Sequence, residues 1–180
     1  VAGVLAGAKT FNTNTDTPGF SDTAQVTFTT AGRVEIDGKV VLTFPDVAGV
    51  QAGWSPTDAS HIGSDGAQNL PAVAVDTPTA NKPTTTVNAF DRTNRVLTFT
   101  IASKDMQQGT IHAFTITNVR TPSSIVGTSN VVVKTQDSQN KDIDGDTNMA
   151  TDEIAVGALA TASFNTATDT PGFESDATVT

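Results

Sequence analysis

Four acidic side chains near the end of the chain have the spacing of a calcium-binding loop. Asp142, Asp144, Asp146 and Glu153 stand at places 1, 3, 5 and 12 of the EF-hand pattern. Carboxylate oxygens at these places bind calcium. Gly145 stands at place 4 instead of place 6, however, and no helical pattern flanks the segment. An acidic, solvated turn between strands is therefore the preferred interpretation, and a calcium site is the alternative.

No combination of residues predicts an enzyme. His61 and His112 lie 51 residues apart without a partner pattern. His112 alternates with Phe114 and Ile116, which is typical of a core or rim position in a strand. The sequence contains no GxSxG turn, no glycine-rich phosphate loop and no HExxH motif. We expect no catalytic activity and no cofactor, apart from the calcium considered above.

A cluster of hydroxyl groups offers a site for sugar attachment. Thr84, Thr85 and Thr86 follow Pro83 directly, and O-linked glycosylation of this cluster is one interpretation. The other is the ordinary preference of threonine for strands. No asparagine stands in an Asn-x-Ser/Thr sequence, so N-linked glycans are not expected.

Charge and composition exclude several classes of partner. The 180 residues include 10 basic and 19 acidic side chains, for a net charge of -9, and no cysteine. Nucleic acids and anionic membranes bind clustered lysine and arginine, so neither is expected as a partner. No apolar run of about 18 residues is present, so no membrane span is predicted. The missing cysteines exclude disulfides and thiolate metal sites.

An internal repeat is the strongest signal in the sequence. Residues 11–20 read FNTNTDTPGF and residues 164–173 read FNTATDTPGF, with nine of ten positions identical at an offset of 153. We interpret residues 1–153 as one full unit and residues 154–180 as the opening strand and turn of the next. A short duplication within one domain is the alternative. The shared TDTPGF segment predicts a type II turn, with glycine at the position that requires positive φ.

Alternating apolar residues predict strands throughout the chain. The composition agrees, because threonine and valine are abundant whereas leucine occurs only five times. No segment has a helical apolar stripe, and the predicted fold is an all-β sandwich of two sheets. The residues predicted to be buried are Val26, Phe28, Leu42, Phe99, Phe114 and Ile116. The predicted strands cover residues 5–11, 24–30, 39–44, 72–75, 87–90, 95–101, 110–119, 131–135 and 159–164.

Residues 45–86 form a long insertion with a different composition. They are rich in Gly, Ala, Pro, Asp and Ser, and a connection of this length is usually functional or an added subdomain. The insertion contains the sole tryptophan, Trp54. We expect Trp54 to close one end of the sandwich; the alternative is a platform for a ligand.

Four segments resemble a repeat of very large surface proteins of algae and water moulds. These segments are VTFTTAGRVEIDGKVVLTFPDV, RVLTFTIA, FTITNVRTPSS and VVVKTQDSQNKDIDG, and the resemblance covers most of residues 22–145. It implies immunoglobulin-like sandwiches joined in tandem at the cell exterior. It implies no catalytic residues.

The sequence therefore predicts a structural protein of the cell surface. In this hypothesis the units join head-to-tail, as covalent repeats or by strand donation between copies, into an extracellular filament or coat that carries glycans. The alternative is an adhesin, a binding module that recognises a carbohydrate or protein through residues 45–86.

Overall fold

The computed structural model describes residues 2–47, 53–55, 70–76, 82–91, 93–158, 162–168, 170–172, 174 and 176–179. The described residues form strands and no helix, as the composition predicted. The strands are β1 (Gly3–Val4), β2 (Ala6–Thr13), β3 (Ser21–Thr29), β4 (Lys39–Thr43), β5 (Val73–Val75), β6 (Thr84–Asp91), β7 (Val96–Ser103), β8 (Ile111–Arg120), β9 (Asn130–Gln136), β10 (Asp142–Ala150), β11 (Phe164–Thr166) and β12 (Ala177–Val179).

Ten of these strands build two sheets that face each other. One sheet has the order β1-β10-β9-β4-β7-β6, and the other has the order β2-β3-β8-β5. Neighbouring strands are antiparallel except β1, which runs parallel to β10. Aromatic rings meet between the sheets, for example those of Phe99 on β7 and Phe114 on β8, whose centroids lie 5.1 Å apart. The all-β sandwich predicted from the sequence is thus the fold of this chain.

Alternation places the predicted residues in the core. All six side chains predicted to be buried belong to the single apolar cluster between the sheets. Their neighbours in the strands, largely threonine, face outward and are partly or fully exposed. One apolar and one hydroxyl-rich face per strand is the pattern that a sheet needs when it contacts a core on one side and water on the other.

The first predicted strand, residues 5–11, is divided between the two sheets. β1 pairs with β10, and the chain then crosses at the buried Leu5 to begin β2 in the opposite sheet. Gly3 permits the close approach to β10, because a Cβ atom there would lie 2.5 Å from Oδ1 of Asp144. A single run of alternating residues therefore serves both sheets, which periodicity alone does not reveal.

β10 is a strand that the sequence analysis interpreted as an acidic loop. It pairs with β9 along its length, with register shifts between Asp142 and Asp144 and between Asp146 and Met149. These irregularities break the simple alternation of buried and exposed residues, and so conceal the strand in the sequence. Met149 and Asp144 are its buried side chains.

Candidate assembly site

The repeated sequence forms the same hairpin twice. We call β2 with β3 the first hairpin, and β11 with β12 the second hairpin. In the first, Phe11 lies opposite Val26; in the second, Phe164 lies opposite Val179, and both members of the pair are displaced by 153 residues. The next two pairs follow the same rule: Asn12 with Gln25 and Thr13 with Ala24 correspond to Asn165 with Thr178 and Thr166 with Ala177. The repeat in sequence is thus also a repeat in strand register.

Both hairpins contain a Pro-Gly turn with glycine in the left-handed region. φ is +68° at Gly19 and +75° at Gly172, which matches the type II turn predicted from TDTPGF. In the first hairpin the turn also contacts the sandwich, since the amide of Gly19 donates to the carbonyl of Pro122 at 2.7 Å. Just before the turn, the carboxylate of Asp16 accepts a hydrogen bond from the hydroxyl of Thr13.

The two hairpins differ sharply in burial. Phe11 and Val26 are 2% and 0% exposed, whereas Phe164 and Val179 are 70% and 76% exposed. The second hairpin therefore presents to solvent the apolar face that the first hairpin buries. A hairpin of two strands is only marginally stable on its own in water.

The first hairpin shows which residues the repeated sequence contacts when its apolar face is buried. The ring of Phe11 makes edge-to-face contacts with Trp54 and Phe44, at centroid distances of 5.5 and 5.6 Å. β3 pairs with β8 over most of its length, and Val26 lies opposite Phe114. β8, Phe44 and Trp54 precede the second hairpin in the sequence, and in this unit they already contact the first hairpin.

The chain leaves the sandwich beside the turn of the first hairpin. Ile154 is fully buried and exchanges two backbone hydrogen bonds with Val126, of 3.2 and 2.8 Å. The amide of Ala155 donates to the carbonyl of Asp16 at 3.0 Å. Ile154 and Ala155, the first residues after the boundary drawn from the sequence at residue 153, thus contact the sandwich of residues 1–153.

Two carboxylates approach each other at this exit. The amide of Thr13 donates to Asp152 at 3.1 Å. Burial raises the pKa of Asp152, and the negative charge of Asp16 acts in the same direction, against that hydrogen bond. Asp152 and Asp16 thus both link the end of the sandwich to the first hairpin, through the amides of Thr13 and Ala155.

The four residues of the calcium pattern have separate environments. Asp142 accepts hydrogen bonds from Gln136 and Lys134, which lower its pKa. Asp146 pairs with Lys9 of the opposite sheet. Burial acts to raise the pKa of Asp146, but Lys9 and nearby backbone amides hold it below its usual value. Glu153 is exposed. Within the described ranges, no three acidic or histidine side chains are arranged to hold a metal ion.

Asp144 has a structural role that the sequence did not indicate. Its buried carboxylate accepts the amides of Ala31 and Gly32 at 3.1–3.2 Å, and the hydroxyl of Thr135 at 3.2 Å. These bonds fasten the connection between β3 and β4 to β10. The preferred acidic, solvated turn is therefore wrong at this residue: it lies in a strand and its carboxylate is buried.

The hydroxyl cluster lies on an edge strand. β6 ends the six-stranded sheet, and Thr84 and Thr86 on it are exposed. The hydroxyl of Thr84 donates to Ser103 at 2.8 Å, and that of Thr85 donates to the carbonyl of Val73 on β5. Thr84 and Thr86 are thus both accessible positions for an O-linked sugar, while Thr85 links the edges of the two sheets.

Trp54 and His112 are core residues. Trp54 is 1% exposed and His112 is buried near the carbonyl of Gln107, 3.4 Å from Nε2. Burial lowers the pKa of His112, and the Gln107 carbonyl opposes this effect. The expectation that Trp54 closes the sandwich is consistent with its position. His61 lies outside the described residues.

A polar groove crosses the outer face of the four-stranded sheet. It has a volume of about 190 Å³ and is lined by Asn12, Asn14, Thr23, Gln25 and Thr115. These amide and hydroxyl groups form a neutral hydrogen-bonding surface. Only the outward positions of β2, β3 and β8 in the sequence indicate this groove, and they do so once the three strands are known to be neighbours.

Searches of known proteins give no relative for this chain: no family model, no curated protein and no solved structure matches it. Among the residues that the structure describes, no helix is long and apolar enough to cross a membrane.

Proposed function

We propose that this chain is a structural repeat of an extracellular filament or surface coat. In this proposal, immunoglobulin-like sandwich units of about 153 residues follow one another head-to-tail. The observation that carries the proposal is the second hairpin, which repeats the register of the first but leaves the same apolar face exposed. Its role is to begin a unit whose remaining strands come from elsewhere.

The path of the chain through the sandwich favours a linear array. β1 and β10 are parallel, with Gly3 opposite Asp144. The chain therefore begins where β10 starts, and it leaves beyond the other end of β10 at Ile154. β10 has nine residues, so these two ends are separated by about 30 Å at a rise of about 3.3 Å per residue. Units joined in this way extend along one direction, which suits a filament.

The extracellular location and the glycans rest on separate observations. The four segments within residues 22–145 that resemble repeats of large surface proteins support the location. The exposed Thr86 supports an O-linked sugar, because a glycosyltransferase needs an accessible hydroxyl. The adhesin alternative receives no support from Trp54, whose ring contacts Phe11 in the core and is not presented to a ligand.

Sedimentation velocity tests the proposed assembly. We expect the 180-residue chain to associate with increasing concentration, and a chain that ends at Ala158 to stay monomeric. The later end point keeps the buried Ile154 in place. Phe164→Asp should abolish association, whereas Ile125→Asp, at another exposed apolar side chain, should not. Monomeric sedimentation of the full chain at all concentrations would contradict assembly between chains.

A further inference from the structure

We propose that the second hairpin of one copy takes the place of the first hairpin in another copy, with β12 pairing to the β8 of that copy. This inference rests on the proposed function, because it treats the two hairpins as equivalent parts of a unit. It goes further by naming the acceptor: the β8 edge and the apolar pocket beside it. Exchange of an identical element between copies is a low-cost route to association.

Four inward side chains of the first hairpin have identical equivalents in the second hairpin. Phe11, Thr13, Ala24 and Val26 are all buried in the first hairpin. The corresponding residues of the second hairpin are Phe164, Thr166, Ala177 and Val179, identical at every position. Because the register is also identical, these four side chains fit their places in the pocket without any change of volume. Phe28, which is buried in the first hairpin and stacks on Phe114, has no equivalent among residues 164–180, so its place is not filled by the exchange.

The acceptor is a defined surface. Trp54 and Phe44 meet the ring of Phe11, and Phe114 on β8 lies opposite Val26. The backbone of β8 supplies a ladder of hydrogen bonds for β3. An incoming β12 finds both the ladder and the pocket once the resident hairpin withdraws, which is why the partner is a second copy of this chain.

Outward side chains decide which hairpin is held more firmly. Lys9 pairs with Asp146, and Asp22 accepts hydrogen bonds of 2.7 Å from Asn14 and Thr15. At an offset of 153, alanine replaces Asn14 and serine replaces Asp22, and residues 157–163 contain no lysine. The resident hairpin is therefore favoured, and exchange involves a minority of molecules. In an array, such exchange joins neighbouring filaments side by side.

Disulfide trapping between full-length chains tests the exchange, and the cysteine-free sequence gives no background. Gln25 on β3 lies opposite Thr115 on β8, and Thr178 is the equivalent of Gln25. Residues opposite each other in an antiparallel pair are about 4.5 or 5.5 Å apart at Cα, within disulfide range. One tagged chain carries Thr115→Cys and a second chain carries Thr178→Cys. The matched control replaces the first with Thr117→Cys, two residues out of register.

We expect a disulfide between Thr115→Cys of one chain and Thr178→Cys of the other. No disulfide should form when Thr117→Cys replaces Thr115→Cys. Lys9→Ser in the acceptor chain should increase the yield, because it removes the ion pair that holds the resident hairpin. A single chain with Gln25→Cys and Thr115→Cys should form the disulfide internally, which verifies the geometry. Equal yields at 115 and 117, or no disulfide at either, would overturn the exchange. If the chains still associate in sedimentation, the proposed assembly survives and the hairpin docks elsewhere.

Discussion

At the scale of single residues, Asp144 shows how a residue type that suits metal binding serves packing instead. Its carboxylate accepts two backbone amides of the connection between β3 and β4 and is shielded from solvent. A buried amide without an acceptor costs about 1–3 kcal/mol. Asp142, two residues earlier in the chain, is exposed and makes ordinary surface contacts.

Asp144→Ala should therefore lower the free energy of unfolding by about 2–5 kcal/mol, because two amides lose their acceptor. Asp142→Ala is the matched control and should cost less than about 1 kcal/mol, as expected for an exposed ion pair. Denaturant unfolding in calcium and in chelator measures both. A loss for Asp144→Ala that is present only in calcium would contradict the structural role and would revive the calcium site.

His112 should make stability depend on pH. Its pKa in the fold is depressed by burial, so below the unfolded value of about 6.5 the unfolded chain binds a proton that the folded chain does not. The melting temperature should consequently fall as pH decreases from 7.5 to 5.5. His112→Gln should flatten this dependence, whereas His61→Gln should leave the His112 contribution intact. If the melting temperature of His112→Gln falls with decreasing pH as steeply as that of the unmodified protein, His112 is not the group responsible.

At the scale of elements, the sequence predicts strands where alternation is regular and misses them where it is broken. β4, β7 and β8 begin and end within two residues of the predicted positions. β10 was missed because its register shifts interrupt the alternation and its acidic composition resembles a loop. The division of the first predicted strand was also missed, since the crossing at Leu5 depends on contacts with β10 that lie far away in sequence.

The start of β4 requires a glycine at position 38, because a side chain there would clash with the backbone. Gly38 begins the turn into β4, and a Cβ atom there would lie 2.8 Å from the carbonyl oxygens of Glu35 and Gln136. Because backbone atoms cannot yield without moving β4 from β9, Gly38→Ala should destabilise the fold by about 1–3 kcal/mol. Thermal unfolding measures the loss. Gly127→Ala is the control, since a Cβ atom there meets nothing within 4 Å; equal melting temperatures for the two variants would refute the argument.

At the scale of the whole molecule, the repeat offset in the sequence predicted the second hairpin and its register. The exact end of the unit could not be predicted, because Ile154 is one apolar residue among small ones and its pairing with Val126 is a tertiary contact. The position of the second hairpin thus follows from the repeat, whereas its need for a partner stays a prediction. The outward contacts that favour the resident hairpin became visible only in the structure.

The central claim is that residues 164–179 open a second unit. Thr180 corresponds to Thr27 at the offset of 153, so a copy of residues 28–158 appended after Thr180 completes that unit. Amide hydrogen exchange at β11 and β12 is the direct measurement, because protection reports the free energy of local opening. In the extended chain these amides should become as slow to exchange as those of β2 and β3, while in the 180-residue monomer they exchange rapidly. Rapid exchange at β11 and β12 in a folded, extended chain would contradict the account.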